Sequence, residues 1–306
     1  MREGQLEPAG DFLAEAAAAD TEIALPSQSG RRLKQIARQP RTIAVGLALA
    51  MLIFLALFGG AITPYNATLP DPIHEFLAPS LAHPMGTDDL GRDVLTRVMA
   101  GTRYSLEAVV IVLTLALLAG TVVGSVAGYA GGMVDEILMR FTDIVLAFPG
   151  IILALALAAA LGPSLINATL AIAAIWWPTY ARLVRGQVLS TKENLYVEAA
   201  RAFGLSPSRI VRRHILPNSF APVLVQLSLD MGNVLVTVAA LSFIGLGAQL
   251  PTPEWGLMVS TDAQNVLTAW WQSTFPGLAI FVTALTFNIF GDILQDILLP
   301  NSRSLL

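Results

Sequence analysis

The stretch 42–62 runs for 21 residues without a charged side chain. As an α-helix it would extend about 31 Å, close to the roughly 30 Å hydrocarbon core of a bilayer. Five more apolar stretches follow, at 105–129, 144–161, 165–181, 220–247 and 275–299. Composition decides what surrounds them. Hydrophobic residues make up 55% of the 306 and charged residues 13%, against about 25% charged in a soluble chain. A water-exposed fold would be coated in apolar surface that lipid accepts and water does not. The expectation is an all-α integral membrane protein with six transmembrane helices.

Positive charge beside a span resists translocation, so its placement orients the six. Six Lys or Arg precede the first span, and seven more (Arg182, Arg185, Lys192, Arg201, Arg209, Arg212, Arg213) lie in the 182–217 loop. With Arg140 and Arg303 they share one side, leaving Arg92, Arg97 and Arg103 on the other. Fifteen of 18 basic residues on one side predict that both termini are cytoplasmic. Residues 1–30 carry six acids against Arg2 with no apolar run behind them. That is not the pattern of a signal peptide; it reads as a solvated tail, with a short helix through the alanine run as the alternative. The organisation expected is a cytoplasmic acidic tail and basic segment (1–41), a first span with an external segment (42–100), a membrane core (101–299) and a cytoplasmic end (300–306).

Gly120, Gly124 and Gly128 recur every four residues on the second span, a smooth stripe against which another helix packs. Pro149, Pro178 and Pro222 sit in or beside spans, where a missing backbone N–H invites a kink. Trp176, Trp177 and Tyr180 precede Arg182 and read as an interfacial aromatic belt, with Trp255, Trp270 and Trp271 as its counterpart. Asp230 is the one acid deep within a span. It is either hydrogen-bonded to a neighbouring helix, near Asn233, or a polar point on a translocation path.

Catalytic signatures are missing. The two lysines, Lys34 and Lys192, follow Leu33 and Thr191, so there is no Gly-Lys-Ser/Thr loop to cradle ATP phosphates. No His-Glu-x-x-His helix or Gly-x-Ser-x-Gly elbow occurs. There is no cysteine for an iron–sulfur cluster or thiol nucleophile, and His74, His83 and His214 lie far apart. A net charge of −4 offers nucleic acid no general attraction. The chain is expected to be neither an enzyme nor a holder of metal or cofactor.

The 196–218 segment, YVEAARAFGLSPSRIVRRHILPN, is the most informative. Glu198 to Phe203 favour helix, Gly204 breaks it, and Ser206 can cap a second helix that Pro207 opens. Leu216 and Pro217 are expected to end that second helix before the fifth span. Loops of this length are functional or disordered, and this one combines seven positive charges with an apolar, alanine-rich face, as a protein-docking surface would.

This segment resembles the cytoplasmic loop of bacterial ABC importer permeases, in which Glu-Ala-Ala is followed by three residues, Gly, nine residues, a hydrophobic position, any residue, Leu and Pro. The match is at Glu198, Ala199, Ala200, Gly204, Leu216 and Pro217; His214 stands where the general pattern has isoleucine, and His-Ile-Leu-Pro-Asn is similar to the peptide and nickel importer branch. HPMGTDDLGRD at 83–93 resembles the external segment of C-type dipeptide and oligopeptide permeases. Its acids lack the bidentate twelfth-position ligand of a calcium loop, and a turn-rich cap is the plainer reading. DIVLAFPGI, LSFIGLGAQLPTPEWG and GDILQD extend the likeness from about residue 35 to the end.

The resemblance implies a type I ABC importer permease core (101–299) with a coupling loop at 190–217, in a bacterial inner membrane. It implies partners as well: a second, B-type permease, two ABC ATPases that bind ATP and magnesium, and an extracytoplasmic substrate-binding protein. The expected cargo is a dipeptide or oligopeptide. The alternatives are a stand-alone ion-coupled carrier or channel, a membrane scaffold, or an importer of nickel complexes, glutathione or another solute.

Overall fold

The computed structural model describes residue 36 and residues 38–299. The acidic tail, most of the basic segment behind it and the C-terminal end from 300 lie outside the described residues. The chain divides into two units, Met1–Ile43 and Ala44–Leu306. From Pro40 onward the helices all lie in the second, apart from the first turn of the helix that begins there.

Among the described residues the regular secondary structure is helical, with one isolated bridge between Thr87 and Asp93. In chain order the helices are α1 (Pro40–Ile62), α2 (Val94–Ala130), α3 (Gly132–Leu146), α4 (Gly150–Leu161), α5 (Leu165–Thr191), α6 (Leu195–Ala202), α7 (Pro207–Ile210), α8 (Leu216–Phe243), α9 (Trp255–Thr261) and α10 (Trp271–Leu298). A π turn, Val211–Ile215, joins α7 to α8.

Four helical stretches are long and apolar enough to cross a membrane unaided: α1, α2, the run through α7 and α8, and α10. The expected third span, 144–161, is not one helix. It falls on the pair α3 and α4, bent by 87°. Pro149 explains the break: its ring disfavours helical geometry at Phe148, and it sits at the N-cap of α4 with extended ψ. Counted as one crossing, the pair makes five. The expected fourth span is the start of α5, which runs ten residues further and is less apolar than the others. Asn167, Pro178 and Arg182 lower its hydropathy, while Ala168, Ala171, Ile172, Ala181, Val184 and Val188 are buried. A helix surrounded by protein need not be greasy all round.

α2 and α5 pack most closely. A Cβ at Gly120 would collide with the Cβ of Tyr180 and one at Gly124 with the carbonyl of Ala181; one at Gly128 would lie 2.9 Å from Val188 Cβ. The stripe is therefore a helix–helix seam. α8 and α10 meet in the same way, with Gly232 against Ala284 and Asn288, and Gly291 against Leu229.

At the start of α2 the 83–93 segment folds into a cap. Asp93 accepts from Thr96 N (2.8 Å) and meets His83 Nδ1 at 3.0 Å. Asp88 accepts from Arg92 N and Nε (both 2.8 Å) and lies 3.3 Å from Arg97 Nε. Trp271 and Gln272, from α10, both donate to Thr87 O, at 3.0 and 3.1 Å. Asp88 and Asp93 are thus spent on arginines, histidine and backbone N–H groups that fasten the cap, while Asp89 lies 3.7 Å from Arg92 Nη2 without a hydrogen bond to its Oδ1. Trp271 belongs to that fastening, and Trp255 is buried with its Nε1 on Val98 O at 2.9 Å. Of the three tryptophans expected as a second aromatic belt, Trp270 alone is exposed.

Candidate docking loop and the groups that hold it

α6 shows two faces. Val197 and Ala200 are buried against the bundle, while Glu198 and Ala199 point away from it. Leu195 is 81% exposed and Phe203 87%; two large apolar side chains so bare flank the Glu-Ala-Ala turn. α6 ends as its sequence predicts. Gly204 has φ +73°, Gly204 N donates to Arg201 O (2.9 Å) and Leu205 N to Ala200 O (3.2 Å), the paired bonds of a Schellman cap. A Cβ at Gly204 would meet nothing within 4 Å, so the need there is for left-handed backbone and not for space.

Beyond the glycine the structure departs from expectation twice. Ser206 occupies the N-cap of α7, but its side chain makes no capping hydrogen bond. Leu216 and Pro217 do not end a helix: they open α8, which continues from α7 through the π turn. Leu216 N bonds to Val211 O, the i→i−5 pattern. Within this continuous run Pro217 has no N–H to give, and the next two side chains satisfy carbonyls of the turn. Asn218 Nδ2 donates to His214 O (2.7 Å) and Ser219 Oγ to Ile215 O (2.9 Å). Asn218 and Ser219 thus support the loop although sequence reasoning assigned them no role. The signal was the asparagine that closes His-Ile-Leu-Pro-Asn.

The loop's cations divide. Arg185 makes a bidentate pair with Asp135 on α3 (2.5 and 2.6 Å), and Lys192 Nζ donates to Gly128 O (3.0 Å) at the end of α2. Arg182 reaches Asp143 at 2.6 Å. The Arg201 guanidinium lies over the Tyr129 ring, 5.6 Å from its centroid. Arg209, Arg212 and Arg213 are exposed on the far side of the glycine. Between α7, the π turn and the end of α2 runs an apolar groove of about 480 Å³, lined by Tyr129, Val126, Pro207, Val211 and Leu216 among others.

Asp230 stands apart from this loop. It is 5% exposed; Tyr180 Oη donates to one carboxylate oxygen (2.8 Å) and Gln226 Nε2 to the other (3.1 Å). That geometry bridges α5 and α8. Asn233, its expected neighbour, is exposed. Tyr180 is wholly buried, so of the expected first aromatic belt Trp176 and Trp177 alone stay half-exposed.

Another buried acid lies near the cap. Asp262, between α9 and α10, is 4% exposed, and its Oδ1 has no hydrogen bond. Its carboxyl is pushed up to about 7, first by burial and then by the carboxylates of Asp88 and Asp89, against the pull of Arg97 and Arg92.

Comparison with known proteins gives this arrangement its context. Residues 120–304 match the model of the binding-protein-dependent transport system inner membrane component family. The chain is 43% identical over 263 residues to a probable D,D-dipeptide transport system permease protein of Escherichia coli K12, covering 86% of this chain and 88% of that one. It is 43% identical to a dipeptide transport system permease protein of Alkalihalophilus pseudofirmus, covering 89% of each. With a glutathione transport system permease protein of Pectobacterium atrosepticum it shares 41% over 89% of this chain and 90% of the other. Among solved structures, an inward-facing methionine ABC transporter superposes with a TM-score of 0.55 at 17% identity, over 66% of this chain and 96% of that one. An amino acid ABC transporter gives 0.50 at 16%, over 64% and 92%. A match over more than half the chain, with relatives above 40% identity along most of its length, makes it a member of the family of binding-protein-dependent transport system inner membrane components, the permease subunits of ABC importers.

Proposed function

We propose that this chain is one of two different six-span permeases of an ATP-driven importer of short peptides in a bacterial inner membrane. The observation that carries this reading is the likeness, along nearly nine-tenths of the chain, to permeases named for D,D-dipeptides, dipeptides and glutathione. The six crossings are α1, α2, the bent pair α3 and α4, α5, α7 with α8, and α10, with both termini cytoplasmic by the placement of lysine and arginine. The cap then faces outward to a substrate-binding protein, and α6 faces the cytoplasm.

ATP and magnesium belong to two partner ATPase subunits; this chain performs no catalysis. Closure of the ATPase dimer displaces the loop carrying Glu198, Ala199, Ala200, Gly204, Leu216 and Pro217, and the spans pass from inward-facing to outward-facing. Exposed Leu195, Phe203 and Glu198 support a docking role for α6. The bonds to Asp230 support a bridging role there and not a lining one.

The test is reconstitution of the complex in proteoliposomes with its binding protein. A di- or tripeptide that raises the binding protein's melting temperature should stimulate ATP hydrolysis and accumulate inside. Uptake by this chain alone, driven by an ion gradient, would overturn the reading in favour of a carrier. Gly204→Pro or Glu198→Lys should leave the complex in the membrane but uncouple uptake from ATP turnover; retention of both would remove the loop's assignment.

A further inference from the structure

Between Gly128 and Asp135 the chain turns from α2 into α3 through Gly131 and Gly132. Three cations from the following elements converge on these eight residues. Arg185 grips Asp135 in a bidentate pair, Lys192 donates to Gly128 O, and Arg201 covers the Tyr129 ring. The first two come from α5 and its end, the third from α6. They differ in stiffness. A bidentate pair fixes distance and angle, so the corner and the end of α5 travel together. A guanidinium over a ring face is held by attraction without a fixed angle, so α6 stays attached to the corner while the angle between them changes. Tyr129 also walls the apolar groove beneath α7 and the π turn, so both arms of the loop, α6 through Arg201 and α7 through the groove, meet the bundle at this side chain.

We propose that Tyr129 is a positioning residue of the transport cycle: the contact through which displacement of α6 reaches the α2–α3 corner and, through Arg185 and Lys192, the α2–α5 seam. This rests on the reading of α6 as the element the ATPase moves.

The chain contains no cysteine, so Met133→Cys, at an exposed position on α3, provides a single reporter on the corner. In the assembled complex its maleimide-labelling rate is compared without nucleotide and after trapping with ATP and orthovanadate. We expect trapping to change the rate at least threefold in the parent complex and with Tyr129→Phe, which keeps the ring. With Tyr129→Leu the change should fall below 1.5-fold while ATP hydrolysis stays within twofold of the parent. Arg201→Gln, a substitution at an exposed site, should act in the same direction, and it serves as the test if the Tyr129→Leu complex does not assemble. No change in the parent, a full change in Tyr129→Leu or Arg201→Gln, or a Tyr129→Phe complex that behaves like Tyr129→Leu would each overturn the proposal. Gly204→Pro separates the two levels. If it abolishes the change while Tyr129→Leu does not, α6 is the moving element and Tyr129 is not its contact; if neither abolishes it, the reading of α6 falls as well.

Discussion

Tyr180 donates to Asp230 from the neighbouring helix, so removing either partner strands the other where water does not reach. A buried polar group left without its bond costs about 1–3 kcal/mol. Asp230→Ala should therefore lower the melting temperature of the complex in detergent by several degrees, whereas Asp230→Asn, which keeps an acceptor for Tyr180, should stay within about two degrees and transport normally. An Asn variant that folds normally but loses uptake would return Asp230 to the translocation path. Asp262 behaves differently. Its folded pKa, about 7, lies above the unfolded value near 4, so the folded state binds the extra proton in that window and stability falls as pH rises from about 4 to 7. A tenfold difference in proton affinity between the folded and unfolded chain is worth about 1.4 kcal/mol. Thermal unfolding between pH 5 and 8 should show the parent protein losing stability as pH rises, and Asp262→Asn should flatten that slope; parallel slopes would sink the assignment.

The α2–α5 seam gives the element-scale prediction. Gly124 faces the Ala181 carbonyl with no room for a Cβ, so Gly124→Leu must push the two helices apart, and overpacking of this kind costs about 1–3 kcal/mol or more. We expect loss of assembled complex on size-exclusion chromatography, with Gly186→Leu, where a Cβ meets nothing within 4 Å, as the tolerated control. This seam was legible in the sequence because a period of four small residues has one common structural use. Four of the six expected spans, α1, α2, α8 and α10, were legible because hydropathy survives without knowledge of neighbours, and so was the end of α6, because Gly204 needs local backbone geometry alone. The continuity of α7 into α8 was not. Leu216-Pro217 carries the local signature of a stop, and the π turn and the Asn218 and Ser219 bonds that override it exist only once the chain is folded. The role of Tyr180 was hidden for a related reason: a tyrosine beside two tryptophans looks interfacial until the acid 50 residues away is found bonded to it.

At the scale of the whole molecule, the described residues leave large apolar side chains uncovered. Leu195 and Phe203 lie bare on α6, and Ile43, Leu47, Met51, Leu57 and other large apolar side chains lie bare along α1. Lipid accounts for the α1 surface, but α6 is read as cytoplasmic, where water leaves such a patch uncovered. Leu195→Ser with Phe203→Ser should leave the helical circular-dichroism signal unchanged while reducing the ATPase subunit that co-purifies by at least fivefold; unchanged recovery would place the docking surface elsewhere. The same two side chains make a copy without its ATPase resemble a damaged protein. On the proposed docking of α6, copies made in excess of the ATPase should be cleared faster than assembled ones, which a pulse-chase with and without that subunit would show.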